Sequence, residues 1–244
     1  MESLPEDARA VVVGAAGGIG AALVEALVAD PRIARVDALS RRPIAASDKV
    51  VPGAIDLTDE ASIEAAAGRL DPGPLDLVLV ASGVLHDAAA GLSPEKTWRH
   101  LDAAALERAF RVNAIGPALV AKHLLPRLAR DRKAVFAALS ARVGSIEDNR
   151  LGGWYGYRAS KAALNQLIRT SAIELARRRP QALCVALHPG TTDTALSEPF
   201  QANVPEGKLF SPAFVAERLL RVLDELDAEG SGGFYAWDGA RIPF

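Results

Sequence analysis

The sequence predicts an α/β fold: one doubly wound parallel sheet of about seven strands with helices on both faces. Three observations carry this. A β-branched apolar run at residues 10–14 leads straight into the glycine-rich turn Gly14-Ala15-Ala16-Gly17-Gly18-Ile19-Gly20. Further short apolar runs recur at 75–81, 133–139 and 182–187. Segments of helical periodicity separate them, and strands alternating with helices are the pattern of a parallel sheet. No internal repeat or low-complexity linker interrupts the 244 residues, so a single domain over 1–244 is expected.

Composition fits a packed core and narrows the function. Hydrophobic residues make up 50% and charged residues 24%, with a formal net charge of −2. That balance argues against nucleic-acid binding, which needs a concentrated basic surface. The basic run Arg177-Arg178-Arg179 falls at the end of an expected helix, where it complements the negative helix end. The lone cysteine, Cys184, sits inside an apolar run and cannot form a disulfide within the chain, which fits a reducing compartment. Residues 1–9 lack the basic-then-apolar layout of a signal peptide, and no apolar stretch is long enough to cross a membrane. A cytoplasmic location without membrane attachment is the expectation.

Taken in order, the strand at 10–14 and its glycine turn precede a helix through Ala29 that stops before Pro31. Glycines between a strand and a helix let the backbone approach a pyrophosphate, which the helix N-terminus attracts. A second strand, 35–39, ends at Ser40-Arg41-Arg42. In dinucleotide folds this strand end meets the adenosine ribose. An acid there would repel a 2′-phosphate, whereas Ser40, Arg41 and Arg42 can bind one. NADP(H) is therefore expected over NAD(H), with Asp37 the one nearby acid. Residues 50–55 form a weaker strand, interrupted by Pro52 and Gly53. Thr58 or Asp59 can cap the helix that runs to Arg69.

After the strand at 75–81 comes an irregular stretch, 85–100. A helix is expected from Asp102 through Ala114, then a break at Gly116-Pro117 and another helix to about Arg130, bent or interrupted at Pro126. The strand at 133–139 gives way to a loop over 140–153. A long helix over 155–179 stops at Pro180, and the strand at 182–187 leads into His188-Pro189-Gly190-Thr191-Thr192-Asp193-Thr194. Residues 196–210, rich in proline and small polar residues, are expected to form a short mobile flap over the substrate. A helix over 212–228 and a strand over 234–237 close the order.

Tyr157 and Lys161 stand four apart on the long helix, hence on one face. There a cation favours the phenolate and lowers the tyrosine pKa, which suits proton transfer to a substrate oxygen. Tyr155 is a rival phenol without a lysine four residues on.

Together these motifs resemble the short-chain dehydrogenase/reductase family, over nearly the whole chain. Gly14, Gly18 and Gly20 match its glycine turn, Asp56-Leu57 its adenine-side pair, and Asn113 its helix asparagine. Tyr157 and Lys161 match its catalytic pair, and Pro189-Gly190 with Thr194 its nicotinamide loop. The segments 140–146 and 157–161 and the ending Trp237-Asp238-Gly239 are similar to the C-factor and sniffer-like carbonyl reductases. The resemblance implies a Rossmann fold, with a dinucleotide-binding part over about 8–150 and the catalytic helix and substrate loop over about 150–244. It implies cofactor contacts from Gly14, Gly18, Ile19, Gly20, Ser40, Arg41, Arg42, Asp56, Leu57, Ala81, Ser82, Gly83, Pro189, Gly190, Thr192 and Thr194, besides Tyr157 and Lys161. In the implied mechanism Tyr157 exchanges a proton with a carbonyl or alcohol substrate. Lys161 holds the nicotinamide ribose, and Asn113 supports a water that relays protons to Lys161. A homo-oligomer, dimer or tetramer, is also implied.

The chain departs from the family pattern twice. Where a catalytic serine is usual stands Ala141, with Ser140 one residue before it and Ser145 four after. Ser140 and Ser145 are the candidate substitutes, although neighbouring strand residues point to opposite sides. The usual Asn-Asn-Ala-Gly after the fourth strand reads Val80-Ala81-Ser82-Gly83. Two functions compete: an NADPH-dependent carbonyl reductase, and a dinucleotide-binding signalling or regulatory protein with little turnover. No Gly-x-Ser-x-Gly turn points to a serine hydrolase. His86, His100, His123 and His188 show no metal-ligand spacing. Trp98, Trp154 and Trp237 are core or pocket residues, with Trp154 favoured for the pocket because it adjoins Tyr157.

Overall fold

A computed structural model describes residues 1–87 and 91–244. Seven parallel strands form the sheet in the order β3-β2-β1-β4-β5-β6-β9. They are β1 (Ala8–Val13), β2 (Ile33–Ser40), β3 (Val50–Ala54), β4 (Leu77–Val80), β5 (Ala134–Leu139), β6 (Ala182–His188) and β9 (Phe234–Ala236). The strand order reverses between β1 and β4, where crossovers to either side leave a crevice at the strands' C-terminal ends. The short strands β7 (Thr191–Thr192) and β8 (Leu209–Phe210) pair with each other outside this sheet.

Alternation along β1 shows how the sheet is buried twice. Val11 and Val13 join one core with Ile63 of α2 (Glu60–Arg69), Val120 of α4 (Gly116–Leu124) and Leu164 of α5 (Tyr155–Ala176). Ala10 and Val12 join the other with Leu23 of α1 (Gly18–Ala29) and Leu219 of α6 (Pro212–Glu225). Phe136 on β5 is fully buried in the first core, and its truncation to alanine would cost about 3–5 kcal/mol. Pro52 is accommodated because β3 is an edge strand, where no ladder partner needs its missing N–H. Asp59, rather than Thr58, caps α2 by accepting the Ala61 N–H.

The expected helix break at Gly116-Pro117 does not occur. α3 (Ala103–Phe110), capped by Asp102, runs through a π turn at Arg111–Ile115 directly into α4. Pro117 sits at the start of α4, where the locally widened turn tolerates a residue without an N–H. α4 ends at Leu124 and not near Arg130, since a single tight turn over Leu125–Arg127 contains Pro126. Similarly α5 stops at Ala176 and α6 at Glu225, each a few residues short of expectation. Of the irregular stretch 85–100, residues 88–90 lie outside the described residues; Trp98–His100 form one tight turn. The proposed flap region holds another such turn, Glu198–Asn203, before β8.

Candidate active site

A cleft of about 720 Å³ opens along the C-terminal ends of β1, β2 and β4. Gly14, Ser40, Arg41, Arg42, Asp56, Leu57, Ala81, Ser82 and Gly83 all line it, as the sequence anticipates. Gly14 has φ +87°, and a side-chain carbon on Gly20 would fall 2.1 Å from the Gly14 carbonyl oxygen. The turn can close this tightly only on glycine. α1 then begins at Gly18 without a side-chain cap, and an uncapped helix start of this kind can receive an anion.

Arg41 and Arg42 line the cleft beyond the end of β2, and Asp37 does not. Asp37 is 2% exposed and is held by Arg35, whose Nη2 donates at 2.8 Å, so its carboxylate is turned into an ion pair. Arg42 donates to the Ala16 carbonyl in the glycine turn, and the Ser40 hydroxyl donates to the Arg42 carbonyl. At the adenine side, the Thr58 amide and hydroxyl donate to Asp56 at 2.9 and 2.8 Å. These bonds, with Arg41 and Arg108 nearby, hold the Asp56 carboxyl below its usual range.

Gly83 joins this cleft to α5. A side-chain carbon there would lie 3.6 Å from Lys161 Nζ and 3.5 Å from Asn113 Oδ1. Lys161 is 2% exposed and donates to the Leu139 carbonyl at 2.7 Å. Burial pushes its pKa down to about 7. Tyr157 is half-buried, with Lys161 Nζ 5.8 Å from its ring centre. Desolvation pushes the phenol above its usual value, opposite in sign to the lowering expected from the Tyr–Lys spacing. In the protein alone, burial is the cause of this rise.

Asn113 lies in the π turn and is fully buried. Its Oδ1 accepts the Val84 N–H at 2.8 Å, while Nδ2 donates to the Val84 carbonyl at 2.8 Å and to Ser160 Oγ at 3.1 Å. Pro117, four residues on, carries no N–H to give the Asn113 carbonyl.

The two candidate serines have internal partners. Ser140 extends the β5–β6 ladder through its amide, and its hydroxyl donates to Asn165 Oδ1 at 2.7 Å inside the core. The Ser145 hydroxyl accepts the Asp148 N–H at 3.1 Å and is likewise buried. Ala141 follows in extended backbone, φ −147°, so its side chain points away from that of Ser140. His188 accepts the Arg142 N–H at Nδ1, 3.2 Å. Burial, reinforced by Arg142, pushes its pKa down to about 4 and keeps it neutral.

On the far side, a methyl of Thr194 would meet a side chain on Gly18 at 2.6 Å, which brings the 189–194 loop against the glycine turn. The Thr192 hydroxyl is buried without a partner. The cleft and this orphaned hydroxyl fit a dinucleotide. Among the described residues no group of three His, Cys, Asp or Glu is placed to hold a metal ion, and no helix is long and apolar enough to cross a membrane.

Sequence reasoning missed several neighbours of the site. Thr58, read only as a cap, and Val84, Arg108, Ala195 and Leu196 line the cleft. Phe200 packs on Trp154 at 5.0 Å between ring centres, and Trp154 meets Tyr157 edge-on at 6.3 Å. His86 completes this wall against Phe200 at 5.8 Å. Only the adjacency of Trp154 to Tyr157 was visible in sequence. Trp98 is exposed, and Trp237 packs instead against Phe210 and Phe214.

The pattern of the short chain dehydrogenases matches residues 8–205. The C-signal protein of Myxococcus xanthus is 35% identical over 186 residues, covering 75% of this chain and 100% of that protein. A 1-hydroxy-2-glutathionyl-2-methyl-3-butene dehydrogenase of Rhodococcus sp. (strain AD45) is 33% identical over 197 residues, 80% of each chain. The NADPH-bound carbonyl reductase from chicken fatty liver superposes with a TM-score of 0.86 at 26% identity, covering 99% of this chain and 96% of that one.

Proposed function

The chain belongs to the short-chain dehydrogenase family, and on that premise we propose that it is an NADPH-dependent carbonyl reductase with Tyr157 as general acid. One observation carries the reading: Lys161 Nζ, 5.8 Å from the Tyr157 ring centre, adjoins Gly83 at the inner edge of a cleft that also presents Ser40, Arg41 and Arg42. When bound, the nicotinamide supplies the hydride. The Tyr157 hydroxyl, which burial keeps protonated, gives its proton to the carbonyl oxygen. Lys161 Nζ, with a pKa of about 7, gains and loses a proton near neutrality and reprotonates the phenolate. The Asn113 carbonyl, unserved by Pro117, holds the water that connects Lys161 to solvent. Arg41 and Arg42 neutralise the 2′-phosphate, and the Trp154–Phe200–His86 wall excludes water from one side of the phenol. The exposed apolar residues Leu167 and Ile173 of α5 provide a face for self-association.

The test pairs titration of NADPH and NADH with turnover on quinones and small diketones. Tighter binding of NADPH, lost on replacing Arg41 and Arg42, and turnover on the panel are expected. Cofactor binding without any turnover would instead favour a second reading, a dinucleotide-binding signalling protein. Two observations support that alternative: Ala141 offers no hydroxyl where Ser140 is tied to Asn165, and the C-signal protein is among the relatives.

A further inference from the structure

Glu95 belongs to no motif, yet it is 5% exposed and lies beside the start of α5. Both of its carboxylate oxygens accept the Gly156 N–H, at 3.1 and 3.3 Å. Its main-chain carbonyl accepts the Trp154 N–H at 2.5 Å. Trp154 precedes the helix in a left-handed conformation, φ +52°, and supplies no side-chain cap. The first turn of α5 therefore takes its cap from a residue 61 positions away. A side-chain carbon on Gly156 would come 2.9 Å from Glu95 Oε1, so the glycine makes room for the carboxylate.

We propose that Glu95 is a positioning residue for carbonyl reduction, fixing the first turn of α5 and with it the Tyr157 hydroxyl. Tyr157 directly follows Gly156, and the Trp154 ring stands edge-on to the phenol. One residue thus anchors the chain immediately before the proton donor through both its main chain and its side chain. A carboxylate suits this place because an amide donates more strongly to an anion, and a helix start favours negative charge. Geometry at this point governs rate, since a displacement of about 1 Å from the productive position costs about 10²-fold. The inference rests on the reductase reading of Tyr157, and the experiment separates the two.

Turnover, NADPH affinity and amide exchange are compared for the wild-type protein, Glu95→Ala and Glu95→Gln. Glu95→Ala should lower kcat by roughly 10–100-fold, with NADPH affinity within about twofold of wild type. Glu95→Gln, which keeps an acceptor oxygen, should recover most of the loss and leave the pH profile of kcat in place. A kcat for Glu95→Ala within about twofold of wild type overturns the proposal. So does a shifted pH limb in Glu95→Gln, because the carboxyl would then be exchanging protons itself. If Glu95→Ala fails to fold, Glu95→Gln and Glu95→Asp take its place: the shorter reach of Asp should lower its kcat more than that of Gln, and equal kcat overturns the role. A wild type without turnover defeats the reductase reading alone. Hydrogen exchange at residues 155–158 then decides the anchor: about tenfold faster exchange in Glu95→Ala than in Glu95→Gln supports it, and equal exchange overturns it.

Discussion

The outer end of the cleft combines main chain with the side chains of Ser40, Arg41 and Arg42, and the inner end depends on side chains alone. At the outer end Gly14, Gly17 and Ala81 present backbone, and the chain's loss of the family's asparagine pair leaves that surface in place. At the inner end the side chains of Lys161 and Asn113 are fixed by hydrogen bonds to the Leu139 carbonyl and to the Val84 main chain. The first design tolerates a change of side chain provided no extra carbon intrudes. The second tolerates a change of position poorly, and a deleted donor costs it roughly 10²–10³-fold in rate. A missing serine is thus the more consequential of the two departures from the family pattern.

The largest effect should come from Tyr157→Phe. Turnover is expected to fall roughly 10²–10⁴-fold while NADPH affinity, measured by titration, stays near wild type; retained turnover would remove the inner end from the chemistry. Opposite in sign, Ala141→Ser should raise kcat by up to about 10²-fold. An unchanged rate in that variant would mean that another donor already serves the substrate oxygen. At the outer end Gly20→Ala drives a carbon toward the Gly14 carbonyl. It should cost about 1–3 kcal/mol of stability by urea unfolding and weaken NADPH binding, so unaltered affinity would break the assignment of that end.

The smallest effect concerns pH. Lys161 has a folded pKa of about 7 against an ordinary 10.5. Between those values the unfolded chain binds the extra proton, so stability of the cofactor-free protein should rise with pH from 7 toward 9.5. The burial penalty is fully present below pH 7 and fades above it. Lys161→Met should flatten this slope in urea titrations; an equal slope in both proteins would show that the lysine is not desolvated.

The sheet was legible because its strands are short apolar runs set between glycine and proline punctuation, and the glycine turn with Tyr157 and Lys161 announced the two ends of the cleft. What escaped depends on contacts between distant segments. The continuity of α3 with α4 hides behind Gly116-Pro117, a pair that ordinarily ends a helix and here follows a π turn. Ser140 could be weighed as a donor from spacing, but its bond to Asn165 arises only when β5 packs on α5. Glu95 and Phe200 lie in irregular segments without periodicity, and only folding brings them to Trp154. The depressed lysine and raised tyrosine likewise reflect burial, which a four-residue spacing does not encode.

The order of the sheet also bears on how the chain is made. Synthesis delivers β1, then β2 and β3 outward on one side, then β4, β5, β6 and β9 outward on the other. From β2 onward, each strand leaving the ribosome meets an already completed edge, and no parallel pair waits for a later segment. Such step-by-step growth eases the slow closure that parallel pairing imposes. Gly14, Ser40, Arg41 and Arg42 are on already paired strands or their ends once β4 has emerged, before α5 brings Tyr157 and Lys161, and the cleft gains Ala195 and Leu196 only after β6.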